Sequence, residues 1–287
     1  MANVNHRNGQ APQLAYRSLR FLESSDARAL RILSEYFDPQ AHLRRAGVRR
    51  TIVLFGSARI RSREVALQRL RAVELRREKG STEQLEAECK RARMDVEMSR
   101  YYEEARELAR LITTWAMTLN KSPNVLTVCS GGGPGIMEAA NRGASEAGGK
   151  SIGLNIKLPH EQKPNPYISP DLSMLFRYFF MRKLWFAQPA QALIVFPGGF
   201  GTIDEMFEFL TLIQTRKMRH HVFILLYSSD FWRRAINFEW LLEAGTINAD
   251  DLKLIRFVDS PQQAFEILKE EIGGRVGLHQ ASKHPFF

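Results

Sequence analysis

The residues with the most chemical potential fall in two glycine-rich turns and one basic pair. Residues 197–205, Pro-Gly-Gly-Phe-Gly-Thr-Ile-Asp-Glu, directly follow an apolar run. Gly198, Gly199 and Gly201 let a ligand come close to the backbone, Thr202 supplies a hydroxyl, and a helix opening there aims its amino end at the same point. A monoester phosphate, with a charge of roughly −1.5 to −2 at neutral pH, suits such a cradle. Glu205 closes the motif. Thr202 to Glu205 also has the Thr-x-x-Glu form of a capping box, in which the carboxylate only satisfies a helix amide. The spacing leaves both roles open, and they are compatible.

The other turn begins at Ser130 and runs through Gly131, Gly132, Gly133, Pro134 and Gly135 into a helix. Its amides favour an anion, although a tight strand-to-helix turn with no ligand reads the same way. A dinucleotide fingerprint fits poorly, because Ile136 stands where its third glycine belongs and no acidic residue follows at the required distance beyond the strand that ends in Asn155. There is no Gly-Lys-Ser/Thr for an ordinary NTP loop. Arg182 and Lys183 lie in the aromatic helical segment Phe-Arg-Tyr-Phe-Phe-Met-Arg-Lys-Leu-Trp-Phe. An arginine buried there needs an anion, either a bound phosphate or Glu205; otherwise its stem lies on apolar surface with the head in water.

These groups need a frame, and the frame is legible as alternation. Apolar runs at 51–55, 125–129, 151–156, 192–196, 222–227 and 254–258 alternate with helical patterns starting near Gly135, Arg177, Thr202, Phe231 and Pro261. That pattern predicts an α/β fold with a single doubly wound, mostly parallel six- to seven-stranded sheet, Rossmann-like, with extra N-terminal helices. Ligands of such sheets bind outside the carboxyl ends of the strands, where Gly56-Ser57, residues 130–135 and residues 197–202 converge. Residues 25–36 read as an amphipathic helix capped by Ser25 or Asp26 and stopped by Asp38-Pro39. Residues 62–120 read as two helices, the first an exposed arm. Gly80-Ser81 interrupts them, and Ser81 to Gln84 restarts the pattern as a Ser-x-x-Gln capping box. One apolar face runs through Met94, Met98, Tyr101, Ala105, Leu108 and Ile112. The last helix has Ser260 as cap, Pro261 at its first position and Gln263 as the box partner. The expected organisation is a helical extension over 1–50, the Rossmann-like domain over 51–272 and a tail over 273–287.

Composition narrows the class. The chain has 287 residues, 44% hydrophobic and 25% charged, which excludes disordered, collagen-like and fibrous proteins. Cys89 and Cys129 are the two cysteines, too few for a disulfide framework or a structural zinc site, so a reducing compartment is the default. The opening residues lack a secretory signal and no run approaches the ~18 apolar residues of a membrane span, which points to the cytoplasm. Lys and Arg total 41 against 31 Asp and Glu, a net charge of +10 concentrated in the first 120 residues. Acids are interleaved there at helical spacing, Glu74 with Glu78 and Glu103, Glu104 and Glu107 around Arg106, so a solvated helix face is expected rather than a nucleic-acid surface. His220-His221 read as a solvated loop pair, with no metal spacing.

Residues 51–272 resemble the LONELY GUY (LOG) family, in its longer bacterial branch often labelled lysine-decarboxylase-like. The resemblance rests on Gly131-Gly132-Gly133-Pro134-Gly135-Ile136-Met137-Glu138 and on Pro197 to Glu205. It implies hydrolysis of the N-glycosidic bond of a nucleoside 5′-monophosphate, AMP or an N6-modified AMP (a cytokinin riboside 5′-monophosphate), to free base and ribose 5-phosphate. No metal or organic cofactor is implied, and a homodimer or higher homo-oligomer is, with the site near the subunit boundary. The family's catalytic pair falls on Arg182 and Glu205, its phosphate loop on Gly199 to Thr202, and a substrate-side threonine on Thr211. Ser57, Gly131, Gly132, Gly133, Glu138, Asn155, Lys183, Gly198, Phe200 and Asp204 complete the expected phosphate and substrate contacts, with Glu161 as a base or ribose contact. Asp204 stands where plant members have Glu, Phe179 and Phe180 replace a Met-His pair, and the loop over 158–171 differs from the short plant enzymes. Two competing functions remain: a non-catalytic nucleotide carrier of the same fold, and PLP-dependent decarboxylation. The latter needs a Schiff-base lysine and a pyridinium partner that no residues single out.

Overall fold

The computed structural model describes residues 13–119, 126–159, 163–218 and 221–276. Helices α1 (Leu19–Leu22) and α2 (Arg28–Arg45) precede β1 (Arg50–Phe55), and α3 (Arg63–Glu78), α4 (Glu83–Met98) and α5 (Arg100–Thr118) lead to β2 (Leu126–Ser130). Then follow α6 (Ile136–Glu146), β3 (Ser151–Ile156), β4 (Ser173–Phe176), α7 (Phe179–Ala187), β5 (Ala190–Val195) and α8 (Phe200–Gln214). The chain continues through β6 (Phe223–Tyr227), α9 (Ser229–Ala235), α10 (Phe238–Glu243), α11 (Ala249–Leu252), β7 (Ile255–Val258) and α12 (Pro261–Val276).

The strands form one parallel sheet in the order β4-β3-β2-β1-β5-β6-β7. The chain winds outward from β1 in one direction, then returns to lay β5 against the other side of β1. Neighbouring crossovers therefore diverge at the β1/β5 boundary and leave a crevice beyond the strand ends. Helices cover both faces, so the five inner strands are buried on both sides and read as mainly apolar runs. Ile52 and Leu54 enter one core with α5, α6 and α12; Val53 and Phe55 enter the opposite core with α7 and α8.

Several local expectations are corrected. Asp38-Pro39 does not end α2: Pro39 is buried inside it, and the N-cap is Ala27 rather than Ser25 or Asp26. The lost amide of Pro39 would orphan the carbonyl of Glu35, but Trp185 Nε1 donates to that carbonyl at 3.0 Å, so the helix continues. The segment over 62–120 holds three helices, not two. Buried Ser99 separates α4 from α5, and its hydroxyl turns back to the Val96 carbonyl at 2.6 Å. Helix α4 is capped by Thr82, whose hydroxyl accepts from Leu85 N at 3.2 Å, while Ser81 bonds Glu86 instead. The expected arm is a hairpin of α3 and α4 with its own small core of Val73, Leu85, Cys89 and Ala92. Ion pairs such as Arg69–Asp95 at 3.0 Å and Arg76–Glu88 at 2.9 Å tie its helices together. Ser260 does cap α12, accepting from Gln263 N at 3.2 Å, but the Gln263 side chain bonds Asp259 N rather than the cap residue's own amide. Glu161 and His220 lie outside the described residues.

One glycine joins two of the edge loops. Gly135 precedes α6 at φ +72°, and a Cβ there would run into the Ser57 carbonyl, the group that accepts from Ile136 N at 3.1 Å. Gly135→Ala is therefore expected to lower folding stability by about 2 kcal/mol or more, read as a fall in the denaturant midpoint at unchanged slope.

Candidate active site

At the β1/β5 boundary a cleft of about 700 Å³ opens, within the ~300–1,000 Å³ usual for small-molecule sites. Its floor is built from the ends of four strands. Residues 55–59 end and follow β1, Gly131, Gly133 and Met137 follow β2, Asn155, Ile156 and Leu158 lie at and just beyond the end of β3, and residues 199–205 follow β5. Phe179 and Arg182 of α7 form the remaining wall.

The charged centre is an ion pair between α7 and α8. Arg182 Nη2 donates to Glu205 Oε1 at 3.1 Å, with the two side chains only 13% and 7% exposed. The guanidinium lies 5.2 Å from the Phe186 ring centroid and 5.7 Å from that of Phe179, so aromatic faces share its charge. Glu205 Oε2 and Arg182 Nε are buried without a hydrogen-bond partner. One acceptor and one donor are thus left over at the cleft. Burial pushes the Glu205 carboxyl above its ordinary range; Arg182 and Lys183 pull the other way and Glu208 adds to the rise. The guanidinium favours the carboxylate, but desolvation outweighs it.

The Thr202–Glu205 capping box does not form. Helix α8 begins at Phe200 with Gly199 as N-cap, so Thr202 is already in the first turn and Glu205 lies deeper, turned toward Arg182. The first intrahelical bond to the cap runs from Ile203 N to Gly199 O at 3.0 Å, so helix geometry leaves the amides of Phe200, Gly201 and Thr202 without intrahelical acceptors. The buried Thr202 side chain rests on Gly198, where a Cβ would collide with it. At Gly199 and Gly201 a Cβ would meet nothing within 4 Å. Packing within the chain therefore explains Gly198 but neither of the other two.

The structure brings Ser57, Gly131, Gly133, Asn155, Arg182, Gly199, Phe200, Gly201, Thr202, Asp204 and Glu205 to the cleft wall and leaves five other candidates off it. Gly132 backs onto the Asn155 side chain. Glu138 faces α5 and accepts from the Tyr102 hydroxyl at 2.6 Å. Lys183 bridges Asp204 and Glu208 of α8, 2.8 Å from each, clamping the two helices together. Gly198 lies beneath Thr202, and Thr211 lines a separate cavity of about 160 Å³ beside α10 and α11.

Sequence reasoning missed Arg59, Met137, Ile156, Leu158 and Phe179 as wall residues. For Arg59 a signal existed: a basic residue three positions beyond the first glycine of a strand-end loop. Asn165 was also missed. Its amide group donates to the carbonyls of Gly132 and Gly133, both at 3.0 Å, and to Asn141 Oδ1 at 2.9 Å, which pins the glycine turn from behind.

A larger recess of about 820 Å³ lies between the α4–α5 junction and α9, lined by Met94, Met98, Arg100, Tyr101, Asp230 and Arg234 among others. It has no glycine turn and no buried ion pair, so volume does not decide the site. No group of three or more His, Cys, Asp or Glu is placed to hold a metal, and no helix is long and apolar enough to cross a membrane, among the described residues.

No curated protein matches the chain. Similar solved structures include that of TM1055, 17% identical with a TM-score of 0.44, covering 77% of this chain and 99% of that one. The molybdenum cofactor carrier protein of Chlamydomonas reinhardtii is 18% identical with a TM-score of 0.46, covering 78% of this chain and 99% of its own. The molybdenum cofactor binding protein of the phototrophic bacterium Rippkaea orientalis is 16% identical with a TM-score of 0.45, covering 78% and 96%. The family described as "Possible lysine decarboxylase" matches residues 137–268. That stretch, a little under half of the chain, holds Arg182, the turn from Pro197 and Glu205.

Proposed function

We propose that the protein hydrolyses the N-glycosidic bond of a nucleoside 5′-monophosphate, AMP or an N6-modified AMP, releasing the base and ribose 5-phosphate. The observation that carries this reading is the buried Arg182–Glu205 pair, with one unpartnered oxygen and one unpartnered N–H, beside a helix start whose Gly199 and Gly201 face open space. The amides of residues 200–202 and the Thr202 hydroxyl hold the 5′-phosphate, and the absent Cβ atoms of Gly199 and Gly201 are the room it occupies. The ribose then lies toward the ion pair. As the C1′–N bond breaks, positive charge grows on C1′ and the ring oxygen, and the Glu205 carboxylate stabilises it. Water forms the new C1′–O bond; one of its protons passes to Glu205 and the departing base nitrogen gains one from solvent, so atoms and charge balance.

The family's description names a decarboxylation that the cleft does not fit. Such chemistry needs a lysine amine free to form a Schiff base. No lysine lines the cleft among the described residues, and the nearby Lys183 is held between Asp204 and Glu208.

Incubation with AMP is expected to release adenine. Glu205→Gln is expected to lower kcat by about 10²- to 10⁴-fold while AMP still binds. Binding without release by the wild type would leave a carrier, and an active Glu205→Gln enzyme would defeat the assigned role. The active form is the carboxylate, and burial raises its pKa, so kcat is expected to fall as pH drops through a value above the ~4.3 of an ordinary glutamate. An acid limb at or below that value contradicts the assignment. Gly201→Ala separates binding from folding. It replaces a helical glycine at an uncrowded position, so stability is expected to hold or rise by up to about 1 kcal/mol, while AMP affinity falls at least tenfold by calorimetry.

A further inference from the structure

Helix α7 carries Arg182 but does not cap itself. Its N-cap residue Tyr178 makes no side-chain cap bond, and its first turn holds no acid. Glu35 of α2 instead holds the two backbone amides that lead into the helix: Oε1 accepts from Arg177 N at 2.8 Å and Oε2 from Tyr178 N, the N-cap amide, at 3.2 Å. The backbone carbonyl of the same residue accepts from Trp185 Nε1 at 3.0 Å. That carbonyl is free because its helical partner would be Pro39, which has no N–H. One turn earlier on α2, Arg31 Nε donates to the Tyr178 hydroxyl at 3.4 Å. The carbonyl of Tyr178 in turn accepts from Arg182 N at 3.2 Å. A continuous path thus runs from Glu35 through Tyr178 to Arg182 and ends on Glu205.

We propose that Glu35 is a positioning residue for the Arg182–Glu205 pair, holding α7 at both ends so that the guanidinium meets the carboxylate in one geometry. The inference rests on reading that pair as the hydrolytic centre. A single capping bond would fix where α7 starts but leave it free to turn. The second attachment, through the indole of Trp185 two turns on, removes that rotation, and Arg182 lies between the two points. A displacement of ~1 Å at a catalytic group can cost about 100-fold in rate. The segment before β1, which looked like an appendage, is then part of the machinery that sets the site.

The test compares Glu35→Gln and Glu35→Ala with the wild type. Gln keeps the size but turns an N–H toward one of the two amides, and Ala removes both acceptors. Glu35 is half-buried, and the Gln variant is expected to fold with a cooperative melt. With AMP, kcat of Glu35→Gln is expected to fall about 10-fold, and that of Glu35→Ala further, with KM within about twofold because the loop at 199–202 is untouched. A second readout needs no turnover: the Glu205 carboxyl, followed by carbon-13 NMR, is expected to titrate at higher pH in both variants. Of the charged groups facing it, Arg182 and Lys183 favour the carboxylate and Glu208 opposes it, and a loosened Arg182 favours it less. A folded Glu35→Gln variant with wild-type kcat and wild-type Glu205 titration overturns the proposal. If the wild type shows no turnover yet the Glu205 titration still moves in the variants, the positioning role stands and the hydrolytic reading falls.

Discussion

The cleft depends on one constraint: a carboxylate and a guanidinium are buried together. Neither Glu205 nor Arg182 could lie at that depth alone, since an uncompensated buried charge costs on the order of 3–5 kcal/mol. Their contact therefore fixes the distance between α7 and α8, and the neighbouring Lys183 repeats the link with Asp204 and Glu208. Two adjacent residues of α7 thus bind three acids of α8. The pair holds the helices together, yet one carboxylate oxygen and one guanidinium N–H in it have no protein partner. Stability and chemistry share the same atoms, which is the usual compromise at a buried charged site.

The sheet explains why the pair sits where it does. In the order β4-β3-β2-β1-β5-β6-β7 the chain reverses its direction of travel between β1 and β5, so the loops after these strands part and leave room. Short loops then bring backbone amides to the rim. The turn after β2 is held from behind by Asn165 and Asn141, a buried amide pair that also reaches Ser130 and Ser151. The turn after β5 is held by the Thr202 side chain lying on Gly198. Both turns are supported by the protein on one side and open on the other. Phe200, 94% exposed, projects from the lip of the cleft.

Much of this was legible before the fold was known, for physical reasons. Five inner strands announced themselves because burial on both faces makes a parallel strand a mainly apolar run, and the edge strand β7 was legible although Arg256 interrupts it. Strand β4 did not: it is a four-residue edge strand, with Ser173 and Leu175 exposed and Met174 and Phe176 buried, and it merges into the aromatic start of α7. The chemistry of Glu205 and Arg182 was visible in residue type, but sequence spacing left a cap and a snorkelling side chain equally open. Their pairing came from the resemblance and their burial from the fold. Pro39 shows a local rule overridden from a distance, because the bond that proline removes is replaced by an indole 146 positions away. Glu35 gave no signal at all, since its partners are backbone amides 142 and 143 residues downstream. Interactions with backbone carry no sequence mark on the receiving side, and that is where sequence reading stopped.

The central claim is that one cleft holds a phosphorylated ribose between the turn at residues 199–202 and the Arg182–Glu205 pair. A crystal structure with ribose 5-phosphate tests it most directly. The expected result is the phosphate on the amides of residues 200–202, with the anomeric carbon next to Glu205 Oε2. Density for the sugar phosphate in the recess beside α9, or in the cleft with its phosphate turned away from that turn, would contradict it.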